Sequence, residues 1–265
     1  MPAGKAFPGG HRRVRMTPEV VDVRILVTGG TGQLGSAVVA RLRAAGEEVR
    51  VLSRRAGPDV VRGDLRTGRG IDSAVAGVDV VVHCATDYFG REAALAATLV
   101  EAARWAGVEH LVYVSIVGVD RVPLGYYQAK HEAEELIASS GLPYTLQRAT
   151  QFHGLVRKLL AGATRLPVVP VPRISFQPVD VRDVARRLAS LAQEDPAGRV
   201  SDFGGPEILT ATELAQAVGE ASGRFRRIVP LTVPGETFRA YADGGHLAPE
   251  HRDGKITFAE YLAHM

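Results

Sequence analysis

The chain has 265 residues, of which 46% are hydrophobic and 23% are charged, and its net charge is +3. This composition is typical of a globular protein with room for one α/β domain and a small lobe. No run approaches the roughly 18 apolar residues that a membrane-spanning helix needs, so we expect no membrane segment. The single cysteine, Cys84, cannot form an internal disulfide, and we expect a reducing, cytoplasmic location.

The excess of basic charge lies at one end of the chain. Residues 1–15 contain four basic residues and no acidic residue, whereas the rest of the chain contains 28 basic and 29 acidic residues. Segment 1–22 is predicted to be a disordered basic tail, and Met16 is an alternative start to Met1. Because the body is nearly neutral, we expect no nucleic-acid partner. We also predict no metal site.

From Val23 onward, buried strands alternate with amphipathic helices. The apolar run "VRILVTGG" indicates a strand, and "QLGSAVVARLRAAG" has the periodicity of a helix that ends at Gly46. Five further segments are predicted to be strands: "EVRVLSRR", "DVVRGDL", "VDVVVHCAT", "EHLVYVSIVG" and "LPYTLQRAT". This alternation predicts an α/β fold, a Rossmann-type doubly wound parallel sheet with a smaller C-terminal substrate lobe.

The fold prediction divides the chain near residue 150. Residues 23–150 would form the dinucleotide-binding core, and 151–265 a substrate lobe packed partly on that core as one structural unit. In the second half, Asp180 or Asp183 marks one helix start, and Thr210 or Thr212 marks another.

Three further segments suggest roles in closure and assembly. The three prolines of 162–173 suggest a loop that would act as a lid. The long helices predicted at 91–107 and 126–140 suit a homodimer contact.

The glycine-rich segment "VTGGTGQLG" follows the first strand and opens the first helix. It satisfies the pattern G-x-G-x-x-G, whose glycines allow a tight turn and a close approach of backbone N–H groups to a pyrophosphate. The candidate cofactor-binding residues of this segment are Gly29, Thr31, Gly32, Gln33, Leu34 and Gly35.

The end of the second strand indicates which dinucleotide binds. An NAD site usually has Asp or Glu about 20 residues after the glycines, but this strand ends "VLSRR". Ser53, Arg54 and Arg55 offer hydroxyl and guanidinium donors to a 2′-phosphate instead. We therefore predict NADP(H) as the cofactor.

With these residues in view, the chain resembles the short-chain dehydrogenase/reductase superfamily, in particular its atypical NmrA-like group. The resemblance covers residues 23–262 and rests on "TGGTGQLG", "GDL", "YVSIVG", "YYQAK" and "QPVDVRDVA". It implies that Asp64 and Leu65 lie near the adenine. It also implies that the backbone of "HCAT", with Cys84, Ala85 and Thr86, passes the cofactor's ribose.

The resemblance further implies a nicotinamide and substrate pocket after the sixth strand, in "LQRATQFHG". Its candidate residues are Thr150, Gln151, Phe152 and His153. For His153 a second interpretation is equally open, namely a residue at a helix start that is satisfied by backbone atoms.

The segment "YYQAK" carries the candidate catalytic pair. Tyr126 and Lys130 are four residues apart, so they share one helix face. A free tyrosine has a pKa near 10, and an adjacent ammonium lowers it, which suits Tyr126 as the acid for a carbonyl oxygen that receives hydride. The resemblance adds Lys130 as a ribose ligand and Ser115 as the residue that orients the carbonyl. Tyr127 competes with Tyr126 for the role.

These residues predict an NADPH-dependent oxidoreductase that transfers hydride to a carbonyl, a quinone or a similar small molecule. A non-catalytic NADP(H)-binding redox sensor that regulates a partner protein is the main alternative. An epimerase or dehydratase of nucleotide sugars shares the fold but has no specific feature here.

Overall fold

The computed structural model describes residues 23–55, 57, 59–87, 90–163, 167–224 and 226–265. The predicted tail of residues 1–22 lies outside these ranges. The strands are β1 (Arg24–Thr28), β2 (Glu48–Ser53), β3 (Val60–Arg62), β4 (Val80–His83), β5 (His110–Ile116), β6 (Tyr144–Ala149), β7 (Val168–Pro172), β8 (Ser175–Phe176), β9 (Gly198–Arg199), β10 (Leu209–Thr210) and β11 (Arg227–Leu231). The helices are α1 (Gln33–Ala44), α2 (Ile71–Val75), α3 (Glu92–Ala106), α4 (Gly125–Ser139), α5 (His153–Ala163), α6 (Val181–Leu191), α7 (Ala211–Ala221), α8 (Glu236–Ala242) and α9 (Phe258–Ala263).

Seven of these strands form one parallel sheet in the spatial order β3-β2-β1-β4-β5-β6-β9. The strand order reverses direction between β1 and β4, which creates a crevice at their carboxyl ends where dinucleotides bind in this architecture. In register, Ile25 pairs with Val49 on one side and with Val80 on the other. The predicted doubly wound parallel sheet is confirmed.

Helices cover both faces of the sheet, so its central strands are apolar on both sides. Ile25 and Val27 face a cluster that includes Leu188 of α6, whereas Leu26 faces the opposite cluster with Leu99 of α3 and Ile137 of α4. This alternation follows the two-residue repeat of a strand. Fully buried parallel strands have this composition because water reaches neither face.

The chain after residue 150 contributes to both the core and the lobe. Helix α6 packs on α1, and β9 extends the main sheet, while the remaining elements surround a separate cluster that includes Val171, Leu214 and Phe258. Asp180 caps α6 by accepting from the backbone N–H of Arg182 at 2.8 Å.

The N-terminus of α7 also has a side-chain cap. Thr210 caps this helix in a reciprocal box with Glu213. Of the two N-cap residues that the sequence left open at each helix, the structure therefore selects Asp180 and Thr210. No helix in the described part of the chain has both the length and the apolar character needed to span a membrane.

The lid predicted for 162–173 is wrong for its second half. Residues 168–172 form β7, which pairs with β11 in parallel, with Val169 opposite Ile228. Val169 and Val171 are buried in the lobe. This segment is therefore anchored as a strand, whereas 164–166 lie outside the described residues.

Candidate cofactor and active site

The glycine loop between β1 and α1 leaves no space for side chains at two positions. Gly29 has φ +65°, a conformation that favours glycine, and a Cβ added there would lie 2.6 Å from the backbone nitrogen of Ala85. A Cβ at Gly35 would collide with the carbonyl oxygen of Gly29. The N–H of Gly32 donates to Gly29 O at 2.8 Å, which closes the turn. The loop is thus a tight backbone cradle at the start of α1, the arrangement that holds a pyrophosphate.

A hydrogen-bonded seam joins the ends of β1 and β4 beside this cradle. The hydroxyl of Thr28 lies 2.6 Å from Nδ1 of His83 and accepts from the backbone N–H of Ala85 at 3.3 Å. Burial, assisted by Lys130, lowers the pKa of His83 to about 3, so its imidazole is neutral. Burial raises the pKa of the Cys84 thiol to about 12, which makes Cys84 a poor nucleophile at neutral pH.

The loops after β2 and β3 form a cleft of about 360 Å³. It is lined by Arg54, Arg62, Gly63, Asp64, Arg69 and Gly70. Three arginine residues line this small cleft, and guanidinium groups are donors that suit a phosphate group. The structure thus brings the predicted Arg54 and Asp64 together.

Sequence reasoning missed Arg62 and Arg69, although both lie within seven residues of the "GDL" motif. The other predicted residues near this cleft differ in their surroundings. The hydroxyl of Ser53 accepts from the backbone N–H of Arg55, whose side chain is exposed and does not line the cleft. Leu65 is buried in the core beneath it, so only its backbone could face a cofactor.

The first turn of α4 carries Tyr126, and its hydroxyl lies 2.9 Å from the hydroxyl of Thr86. Thr86 directly follows Ala85, the residue against which Gly29 packs. The predicted acid and the glycine cradle are therefore linked through two consecutive residues. This contact places the Tyr126 hydroxyl beside the segment of Ala85 and Thr86.

Lys130 lies one turn further along α4 and is only 4% exposed. Its ammonium donates to the carbonyl oxygen of Val114 at 3.3 Å and lies 3.4 Å from Oε1 of Glu92. It also sits 4.8 Å from the ring centroid of Tyr113, within range of a cation–π contact. Lys130 is therefore held as half of a buried ion pair, and sequence reasoning missed Glu92 as its partner.

Ser115 lies at the carboxyl end of β5, directly after Val114, and is 3% exposed. Its hydroxyl has no hydrogen-bond partner among the residues that the structure describes. A buried hydroxyl without a partner costs free energy unless a ligand or water satisfies it. Ser115 is thus adjacent in the chain to the carbonyl that holds Lys130, and its role in orienting a carbonyl stays a prediction.

A second ion pair fixes α4 against the sheet. Arg148, at the end of β6, donates to both carboxylate oxygens of Glu134 at 2.9 and 2.6 Å, and also to Asp120 at 2.9 Å. Arg148 and Glu134 are both buried. This bidentate contact keeps the helix that carries Tyr126 rigid relative to the crevice.

Tyr127 occupies a different environment from Tyr126. It is buried in a small apolar cluster with Val119 and Val122, and its ring meets that of Tyr241 edge to face at 6.3 Å. Burial, followed by the nearby Tyr241, raises the pKa of Tyr127. The same cluster contacts Tyr126 and forms an apolar wall beside it.

The predicted pocket residues after β6 are mostly tied to the C-terminal lobe. Thr150 accepts from Gly205 N–H at 3.1 Å, and Gln151 donates to His246 O at 2.9 Å. Phe152 is half-buried and pairs with Val179 in an isolated bridge.

His153 is buried, and its Nε2 lies 2.9 Å from the carbonyl oxygen of Ile256. Its ring contacts those of Phe258 and Tyr261. Nε2 is thus satisfied by a backbone oxygen, as in the second interpretation given above, whereas Nδ1 is buried without a partner among the described residues. The pocket role of His153 stays a prediction.

The crevice, the glycine cradle and the arginine cleft together define a dinucleotide-binding protein of the Rossmann type. The model of the NmrA-like family matches residues 22–245, and the chain belongs to that family. The resemblance that the sequence motifs indicated is therefore confirmed at the level of the family.

Two curated relatives and one solved structure give more detail. The chain is 32% identical over 224 residues to a (4-alkanoyl-5-oxo-2,5-dihydrofuran-3-yl)methyl phosphate reductase of Streptomyces griseus, covering 79% of this chain and 77% of that protein. It is 29% identical over 227 residues to an NAD(P)H azoreductase of Xenophilus azovorans, again covering 79% of this chain and 77% of that protein. A structure of an NADPH-dependent quinone oxidoreductase of Escherichia coli, complexed with NADPH, superposes with a TM-score of 0.78 at 22% identity, covering 91% of this chain and 99% of that one.

Proposed function

We propose that this protein is an NADPH-dependent reductase of a small unsaturated molecule, such as a carbonyl compound or a quinone, with Tyr126 as the proton donor. The observation that carries the proposal is the contact of Tyr126 with Thr86, which puts a phenol at the edge of the glycine cradle. By name, the Streptomyces griseus relative is a reductase of a phosphate ester and the Xenophilus azovorans relative is an NAD(P)H azoreductase. The similar solved structure is that of a quinone oxidoreductase.

The residues present fit the cofactor. The N–H groups at the start of α1 would hold the pyrophosphate, and Arg54 with the other guanidinium groups of the cleft would hold the 2′-phosphate. NADPH, when bound, supplies the hydride.

The protein supplies the proton and the environment. Tyr126 would donate its proton to the oxygen or nitrogen of the acceptor, and Ser115 would hold the same acceptor atom. The ion pair of Lys130 and Glu92 would fix the position of α4 relative to α3. The buried apolar cluster of Val119, Val122 and Tyr127 packs against Tyr126 and supports its position.

Oxidation of NADPH, followed by its absorbance, tests this function with a panel of quinones, azo dyes and α,β-unsaturated carbonyl compounds. We expect consumption of NADPH with at least one class, and slower consumption of NADH. If NADPH binds but no acceptor in the panel is reduced, the reductase proposal is contradicted, and the alternative of a redox sensor takes its place.

We also infer a homodimer through α3 and α4. A groove of about 700 Å³ runs between these helices, beside Trp105, whose side chain is 87% exposed. Glu101 and Arg104 line the same groove, and a two-fold contact that pairs Glu101 of one copy with Arg104 of the other would be favourable. The reducing cytoplasm remains the compartment that the lone cysteine favours.

A further inference from the structure

Thr86 connects Tyr126 to a buried carboxylate. Its hydroxyl lies 2.9 Å from the hydroxyl of Tyr126 on one side and donates in a short contact to Oε1 of Glu92 on the other. Thr86 is itself exposed, whereas the side chain of Glu92 is 0% exposed. A hydrogen-bonded chain thus runs from the surface of the crevice into the core.

The number of hydroxyl hydrogens determines which group donates in each of these two hydrogen bonds. A threonine hydroxyl has one hydrogen, and the carboxylate of Glu92 has none to give. When Thr86 donates to Glu92, it can only accept at its other contact, so Tyr126 donates to Thr86. In this state the phenol hydrogen points toward Thr86.

Glu92 does not depend on Thr86 alone. Its Oε1 also accepts from the backbone N–H of Asp87 at 3.1 Å and lies 3.4 Å from the ammonium of Lys130. The hydroxyl hydrogen of Thr86 can therefore turn away from Glu92 while that oxygen keeps two donors. Rotation about a single C–O bond is all that this requires.

We propose that Thr86 is a positioning residue for Tyr126, whose hydroxyl hydrogen turns from Glu92 to the Tyr126 oxygen as Tyr126 loses its proton. This inference rests on the proposed function. In the step, the O–H bond of Tyr126 breaks and a bond from that hydrogen to the acceptor forms. Thr86 keeps its own O–H bond and only exchanges one hydrogen-bond acceptor for another.

Thr86 exchanges one charge-assisted hydrogen bond, donated to the Glu92 carboxylate, for another, donated to the Tyr126 phenolate. The exchange favours the phenolate because Glu92 Oε1 keeps the Asp87 N–H and the Lys130 ammonium, whereas the phenolate gains a donor. A bond donated to a phenolate is charge-assisted, and such bonds are roughly twice as strong as those between neutral groups. Thr86 therefore stabilises the state in which Tyr126 has given up its proton. Loss of the Thr86 hydroxyl should therefore lower kcat and leave KM for the acceptor nearly unchanged.

The test compares Thr86→Val, which removes the hydroxyl at nearly constant volume, with Thr86→Ser, which keeps it. Thr98→Val on α3 is the matched control, because its hydroxyl donates to Ala94 O within the helix. Two readouts are needed: steady-state kinetics with NADPH, and the titration of Tyr126 in the protein without cofactor. The second uses ¹³Cζ-labelled tyrosine, with the Tyr126 signal assigned from its loss in Tyr126→Phe.

We expect Thr86→Val to lower kcat about tenfold to a hundredfold with KM for the acceptor changed by less than about twofold. We also expect the titration midpoint of the Tyr126 signal to move to higher pH, because the phenolate has lost a donor. Thr86→Ser and Thr98→Val should match the wild type in both readouts.

The two readouts separate failure of this inference from failure of the proposed function. If the wild type reduces no acceptor but the Tyr126 midpoint still rises in Thr86→Val, the coupling stands and the reductase proposal falls. If Thr86→Val titrates like the wild type, solvent supplies the donor and the inference is overturned, whatever the kinetics. A rise in KM with unchanged kcat would overturn it as well.

Discussion

The ammonium of Lys130 lies 3.4 Å from Oε1 of Glu92, and the two side chains are 4% and 0% exposed. This ion pair ties α4 to the first residue of α3 directly beneath Tyr126. Because both charges are removed from water, each depends on the other for compensation. The lysine of the candidate catalytic pair is therefore also part of the core.

We expect Lys130→Met and Glu92→Gln each to lower the free energy of unfolding by about 3–5 kcal/mol, because each leaves one buried charge without its partner. The double variant should lose less than the sum of the two. Urea denaturation of all four proteins gives the coupling energy. The exposed pair Arg199–Asp202 is the control, and Arg199→Met should cost at most about 1 kcal/mol. Single-variant losses as small as that of the control would contradict the assignment.

The arginine cleft predicts which substitutions separate NADPH from NADH. We expect Arg54→Gln and Arg62→Gln each to weaken NADPH binding about tenfold to a hundredfold, because each removes a charged donor to the 2′-phosphate. Binding of NADH, which lacks that phosphate, should change little. Arg55→Gln is the matched control, since Arg55 adjoins Arg54 in the chain but does not line the cleft. Calorimetry with both cofactors measures the effect, and an equal loss in Arg55→Gln would show that the phosphate binds elsewhere.

Acid should destabilise the protein through His246. Burial lowers the pKa of His246 from 6.5 to about 4, and Arg121 acts in the same direction. Between pH 6.5 and 4 the unfolded chain binds a proton that the folded chain does not, so stability falls as the pH falls through this window. The loss from this group is on the order of 3 kcal/mol and is complete below about pH 4.

His246→Gln tests this linkage because glutamine does not titrate. We expect the free energy of unfolding, measured by urea denaturation at several pH values, to decline less steeply between pH 6.5 and 4 than in the wild type. Some slope will remain, since burial also lowers the pKa of His83 and His153. An unchanged slope in His246→Gln would contradict the role given to this residue.

The proposed dimer predicts that Trp105→Glu yields monomers. A carboxylate in place of an exposed indole would be buried against the second copy without a partner. Leu159→Glu is the control, because Leu159 is 61% exposed on α5, away from the groove. Sedimentation equilibrium should show a dimer for the wild type and this control. A monomeric wild type would contradict the proposed interface.

Local sequence patterns were sufficient to predict the core of the fold. The β1–α1 unit was predictable because its apolar strand, glycine turn and helical periodicity are adjacent in the chain. The shared face of Tyr126 and Lys130 was predictable for the same reason, since four residues make one helical turn. The parallel pairing of β7 with β11 was not, because Pro170 and Pro230 interrupt strands that lie about sixty residues apart.

The candidate site shows the same limit. In the sequence, Glu92 is an acidic residue at the start of a predicted helix, a position where carboxylates are common. Only the fold brings it to Lys130, on a different helix. The bonds of His153 to the lobe were likewise unpredictable, because Ile256 is about a hundred residues away. Contacts between distant segments carry no local signal in a single sequence.

The central claim is that Tyr126 donates the proton, and single-turnover kinetics test it most directly. Enzyme preloaded with NADPH is mixed with an acceptor, and the loss of NADPH absorbance is followed for the wild type, Tyr126→Phe and Tyr127→Phe. We expect Tyr126→Phe to slow the reaction about 10²–10⁴-fold with unchanged NADPH binding, and Tyr127→Phe to stay within about threefold of the wild type. A Tyr126→Phe variant as fast as the wild type would contradict the account.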